Sequence, residues 1–234
     1  MLRKIAKEQL FFSDKGWLQS RFHFSFAEYI NHNNKNFGVL RVLNDDVIKP
    51  QSGFDMHPHR DMEIVTYITE GELTHKDSMG NEEVLKAGEV QYMSAGSGIS
   101  HAEYNNHPSK ELKLLQIWIL PPEHNLPILY GSHRFFKEER ENKLLRIVSS
   151  QNSDAKIKLY QDVSIFVSEL DEGKSLSIDV GKERQLYFVV IKGELTLNEI
   201  DINAHDACEC VDEKVLEVEA QTDTHFLFIE MAKG

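Results

Sequence analysis

His57-Pro58-His59 and, one β-meander later, His101-Ala102-Glu103 bracket the stretch that decides the fold. Between them lie Val65-Thr66-Tyr67-Ile68, Gly71-Glu72-Leu73-Thr74 and Ala87-Gly88-Glu89-Val90, short β-forming runs punctuated by glycine turns. In a strand, side chains two residues apart share a face, so His57 and His59 aim two imidazoles at one point while Pro58 faces away. Pro58 has no N–H to donate, which suits a strand end or edge. His101 and Glu103 repeat the geometry with one imidazole and one carboxylate. A single H-x-H is ordinarily surface chemistry. The second H-x-E, behind the tight loop Ala95-Gly96-Ser97-Gly98, turns the pair into a candidate metal centre. Three nitrogens and one oxygen leave open positions on a six-coordinate cation. Such a donor set suggests non-haem Fe(II), and Mn, Co, Ni, Cu and Zn also fit it.

The strand pattern extends outward on both sides. Arg21-Phe22-His23-Phe24-Ser25-Phe26 alternates with period two, and Phe37-Gly38-Val39-Leu40-Arg41-Val42-Leu43 reads as a further strand ended by Asn44-Asp45-Asp46. Leu112 to Leu120 closes the first half. Pro121-Pro122 through Pro127 reads as a surface linker, and His133 to Lys143 as a charged segment holding one short helix. Val163–Val167, Leu176–Val180, Leu186–Ile191 and His225–Ile229 resume the β pattern. Turn signals at near-regular spacing predict an all-β protein of sandwich or small-barrel type. Gly71-Glu72-Leu73-Thr74 recurs as Gly193-Glu194-Leu195-Thr196, an offset of 122 that sets Asp179 and Gly181 opposite His57 and His59. The expectation is two related β-domains, residues 1–135 binding the metal and residues 136–234 lacking its ligands.

Composition narrows the function classes. The 234 residues fit one large or two small domains. A formal net charge of −12 argues against a nucleic-acid surface, which needs clustered positive charge. Charges interrupt Met1-Leu2-Arg3-Lys4-Ile5-Ala6-Lys7-Glu8 before any apolar core forms, so it does not read as a signal peptide, and no run approaches a membrane span. The two cysteines, Cys208 and Cys210, share one strand face and are poorly placed for a mutual disulfide. They read as reduced core thiols, and the expected location is the cytoplasm.

The paired motifs resemble the cupin superfamily: His59 is followed four residues later by Glu63, and His101 four later by Asn105. Within it, His57-Pro58-His59-Arg60-Asp61-Met62-Glu63, the run Glu70 to Asn81 and the run Met93 to Asn105 resemble the pirin family. Asp61-Met62 and Ser78-Met79-Gly80 look most like the bacterial pirin-like quercetinases. This resemblance implies a bicupin of two β-barrel, jelly-roll domains. One divalent transition metal, iron first, would be held by His57, His59, His101 and Glu103. It further implies a dioxygenase whose partners are a small aromatic substrate and O2. Such an enzyme opens a flavonol such as quercetin and releases CO, with Glu103 as candidate base. Glu63 is not a ligand in this family and reads as a carboxylate hydrogen-bonded to a ligand histidine. His75, His107, His124 and His133 lie outside the motifs and read as exposed or loop residues. Phe54, Met56, Tyr92, Met93 and Trp118 are candidates for an apolar mouth. Two other functions compete: an iron-dependent regulator acting through a protein partner, as in eukaryotic pirins, and a non-oxidative cupin.

Overall fold

Alternating apolar and polar residues place one strand face inside and one outside, as in Leu18–Phe22, Ile99–Asn105 and Val215–Ala220, whereas the central strands Glu63–Glu70 and Arg184–Lys192 are buried on both faces for most of their length. The computed structural model describes residues 1–233; Gly234, the last residue of the expected second domain, lies outside them. The described strands are β1 (Leu2–Ile5), β2 (Phe11–Asp14), β3 (Leu18–Phe22), β4 (Leu40–Ile48), β5 (Ser52–His59), β6 (Glu63–Glu70), β7 (Glu72–Asp77) and β8 (Glu82–Lys86). They continue with β9 (Glu89–Ser94), β10 (Ile99–Asn105), β11 (Leu112–Ile119), β12 (Leu129–Arg134), β13 (Leu145–Ser150), β14 (Ile157–Leu159) and β15 (Val163–Leu170). The last are β16 (Ser175–Asp179), β17 (Arg184–Lys192), β18 (Glu194–Leu197), β19 (Ile200–Asn203), β20 (Ala207–Val211), β21 (Val215–Ala220) and β22 (Thr224–Ala232).

The chain divides into two compact units. One comprises Phe11–Phe135 with Leu159–Gln161; the other comprises Met1–Leu10, Phe136–Lys158 and the chain from Asp162. The first unit pairs a seven-stranded sheet, β12-β9-β6-β11-β4-β3-β2, with a four-stranded sheet, β5-β10-β7-β8. The second has β1-β20-β17-β22-β15-β13-β14 and β16-β21-β18-β19. Position by position the two orders match, so the fold is an all-β bicupin. β1 pairs with β20 in the second unit, at the sheet position that β12 takes beside β9 in the first. The first ten residues thus lie with the unit built from the later part of the sequence.

The recurring Gly-Glu-Leu-Thr marks the same turn in each unit. Gly71 and Gly193 join β6 to β7 and β17 to β18 with φ of +85° and +83°. A Cβ at either would sit 2.5 Å from Glu111 O or 2.4 Å from Asp223 O. Both the left-handed conformation and the close backbone approach demand glycine there.

Two local expectations need correction. Asn44-Asp45-Asp46 does not end a strand; β4 runs through it to Ile48, with Asn44 and Asp46 buried on its inner face. Conversely, the strand at Arg21 stops at Phe22, and the chain leaves the sheet over the next residues. In the charged segment, His133 is still in β12 and only Lys137–Glu139 forms a single 3-10 turn. Cys208 and Cys210 are free and fully buried in the apolar core of the second unit.

Candidate metal centre

β10 reads Ile-Ser-His-Ala-Glu-Tyr-Asn, and alternate residues Ile99, His101, Glu103 and Asn105 are buried. Antiparallel pairing with β5 sets His101 opposite His57 and Ile99 opposite His59. The three imidazoles form a near-equilateral triangle, with ring centroids 4.7 Å apart for His57–His59, 4.5 Å for His57–His101 and 4.8 Å for His59–His101. One ring nitrogen from each lies within 4.8 Å of the others. That is a little over the span of two metal–nitrogen bonds of about 2.1 Å.

Between His101 and Glu103 the register shifts: Glu103 faces Phe54, so β5 carries one extra residue at Asp55–Met56. This β-bulge reverses the alternation. Phe54 consequently lines the same cavity as His57 and His59, although its number has the opposite parity. The carbonyl of Asp55, in the bulge, lies 2.8 Å from His57 Nδ1. A carbonyl only accepts, so Nδ1 carries the proton and the lone pair is left on Nε2.

Among the described residues, the other two imidazoles lack partners for three of their four nitrogens. His59 Nε2 and both nitrogens of His101 are buried without a hydrogen-bond partner. Burial, then neighbouring histidines, pushes His59 and His101 down to about 3, so both rings are neutral at physiological pH. Three converging imidazoles, two of them neutral with unmatched buried nitrogens, fit a divalent transition metal, and orphaned buried acceptors are what such an ion would satisfy.

Glu103 is 3 % exposed. Its Oε2 accepts from Gln116 Nε2 at 2.9 Å, and the Thr66 hydroxyl is shared between Gln116 Oε1 at 3.0 Å and Glu103 Oε1 at 3.3 Å. Burial raises its pKa, while His75 and the Gln116 hydrogen bond oppose the rise. β7 sets His75 opposite Glu103 and Asp77 opposite His101. His75 is not an exposed or loop residue: it is fully buried, has no hydrogen-bond partner, and joins His101 and Glu103 in a second group of close donors. The alternation Leu73, His75, Asp77 in Glu72-Leu73-Thr74-His75-Lys76-Asp77 was the signal that pointed it inward.

Glu63 also differs from expectation. Its carboxylate accepts from Tyr92 Oη at 2.7 Å and from the backbone N–H groups of Tyr160 and Gln161 at 2.6 and 2.9 Å, not from a ligand imidazole. The mouth residues divide. Phe54 and Trp118, with Phe26, line a cavity of about 160 Å³ that also touches Asn44, Asp46, His57, His59, Glu103 and Gln116. Met56 is exposed, while Tyr92 and Met93 are buried in strand β9 and absent from that lining.

Fold and centre together define a two-domain cupin. Residues 4–119 match the family model described as Pirin, and residues 146–231 match the one described as Quercetinase C-terminal cupin domain. The quercetin 2,3-dioxygenase of Escherichia coli K12 is 39 % identical over 219 residues, 94 % of each chain. The pirin-like protein of Caulobacter vibrioides is 40 % identical over 233 residues, 99 % of this chain and all of that one. A crystal structure of the bacterial pirin YhhW from E. coli, in complex with nickel(II), superposes with a TM-score of 0.94 at 35 % identity, covering the whole of both chains. The chain belongs to the pirin family. Among its described residues, no helix is long and apolar enough to cross a membrane.

Proposed function

We propose that the protein is a metal-dependent dioxygenase of the pirin-like type that cleaves a flavonol such as quercetin with O2 and releases CO. One observation carries this reading: three imidazoles, two of them neutral and with unmatched buried nitrogens, converge beside a carboxylate, at a cavity walled by Phe26, Phe54 and Trp118. The names of the E. coli relative and of the matched C-terminal model support the substrate class.

His57, His59 and His101 would hold the cation, with Glu103 as the fourth donor, and Fe(II) is the first candidate. When bound, the cation supplies a Lewis acid that makes a guest hydroxyl more acidic and a redox centre for O2. The protein residues do the rest. His57 is locked as the tautomer that offers Nε2 by its bond to Asp55 O. Glu103 takes the proton of the guest hydroxyl; burial raises its proton affinity, and Gln116 and Thr66 fix its orientation. The aromatic side chains exclude water and receive the ring. The two oxygen atoms of O2 end in the opened product as two C–C bonds break and the carbon between them leaves as CO.

The test is oxygen uptake and CO release with quercetin by iron-loaded protein prepared without air. Turnover with one CO per O2 is expected. Uptake no greater than that of free iron in buffer would reject the activity.

A further inference from the structure

The cavity wall opposite the imidazoles carries hydrogen-bonding groups for which this chemistry has no use. Asn44 and Asp46, two residues apart on β4, are 4 % and 3 % exposed and line the cavity with His57, His59 and Glu103. Asn44 Oδ1 is a buried acceptor without a donor, and Trp118 Nε1–H is a buried donor without an acceptor. Leaving such a group unpaired in the interior is unfavourable. Two in one cavity point to a molecule from outside that completes them. A hydroxyl supplies both a donor proton and acceptor lone pairs, so one group can satisfy the amide oxygen and the indole N–H together. Asp46, anchored by the Ser20 hydroxyl, extends the same polar wall.

Size restricts the guest further. The cavity measures about 160 Å³. A void of about 150 Å³ takes one benzene ring, whereas drug-sized ligands occupy about 300–1,000 Å³. Phe26 packs edge-on against Trp118 at 5.3 Å, and Trp118 edge-on against His59 at 4.8 Å, so these rings form one aromatic wall of the cavity.

Resting on the dioxygenase reading above, we propose that Asn44 and Trp118 are specificity determinants, and that the guest they select is a single planar ring with vicinal oxygens, of the catechol or cyclic enediol class. One oxygen faces the imidazoles; its neighbour donates to Asn44 Oδ1 and accepts from Trp118 Nε1–H. A flavonol presents a carbonyl beside its reacting hydroxyl; that carbonyl accepts from Trp118 Nε1–H and leaves Asn44 Oδ1 unmet, so a flavonol fits this wall less well than a vicinal diol.

Nickel(II)-loaded protein titrated calorimetrically with catechol and with phenol, under argon, tests this. The parent should bind catechol more tightly than phenol. Asn44→Leu and Trp118→Phe should each raise the catechol Kd about tenfold, with phenol affinity and nickel content unchanged. Trp118→Phe keeps the ring and carries the test if Asn44→Leu does not fold. Catechol affinity within twofold of the parent in the folded variants would overturn the proposal, the two groups then holding only water. Oxygen uptake separates the two readings. Uptake with quercetin beside unaltered catechol binding sinks the wall alone. Catechol binding that depends on Asn44 without uptake of O2 by any vicinal diol upholds the wall and sinks the oxygenation.

Discussion

The two barrels share a strand order and differ in one row of side chains. In the first unit, cross-strand pairing aligns Asn44, Gln116, Thr66 and Gln91 on β4, β11, β6 and β9. In the second, the matching strands β15, β22, β17 and β20 align Phe166, Phe228, Phe188 and Cys208. The phenyl rings stack, Phe166 on Phe228 at 4.9 Å and Phe188 near Phe228 at 6.0 Å, inside one continuous apolar core. The polar row instead separates two smaller apolar clusters, one around Ile48, Ile68 and Leu114, the other around Ile64, Met93 and Ile99. Thr66 and Gln116 of that row hold Glu103. An apolar row contributes burial, whereas a polar row lowers that contribution and positions a carboxylate beside the imidazoles. The same scaffold therefore supports a core in one copy and a candidate metal centre in the other.

Substitutions that exchange these roles sharpen the contrast. Glu103→Gln keeps the size and the hydrogen-bond reach of the side chain but removes the base. Turnover should fall about 10²–10⁴-fold with the fold intact by circular dichroism, and unchanged turnover across pH would remove Glu103 from the mechanism. Phe188→Ala opens the core of the second unit and should cost about 3–5 kcal/mol in urea unfolding, with metal content unaffected; a parallel loss of metal would break the division of labour.

Acid should act on the imidazole cluster of the metal-free protein. His59 and His101 sit near 3 in the folded chain, against about 6.5 unfolded. As pH falls the unfolded chain protonates first, so their contribution is complete above about 6.5 and is lost progressively toward 3. Tm should fall through that window in calorimetry. Replacing both by Phe should flatten the fall, which separates the imidazoles from Asp46 and Glu103, whose raised values act in the opposite sense. A Tm that stays level from pH 7 to 4 would contradict the buried neutral rings. The smallest effect is expected for His75→Phe, which keeps the stacking on Tyr130 at 4.9 Å. Turnover should drop about tenfold with metal content unchanged; full activity would leave His75 a packing residue.

Much of this was legible in the sequence because it is local. Residues two apart on a strand share a face, so His57 with His59 and His101 with Glu103 declared themselves, and Gly71 and Gly193 marked the equivalent turns. What depends on pairing between strands was not. The bulge at Asp55–Met56 exists only against β10, and it alone brings Phe54 onto the histidine face. Asn44-Asp45-Asp46 has the composition of a turn, yet its flanking strands β3 and β11 hold it extended and bury two of its polar side chains. His75 acquires meaning only opposite Glu103. Glu63 sits at a cupin ligand position, but its partners Tyr160 and Gln161 are nearly a hundred residues away in sequence.

On the proposed reading, three imidazoles of the first unit grip one cation. Elemental analysis of protein grown with iron tests it most directly, comparing the parent with the triple variant His57→Ala/His59→Ala/His101→Ala. About one metal ion per chain in the parent and none in the folded triple variant is the predicted result. Equal metal content in the two would contradict it.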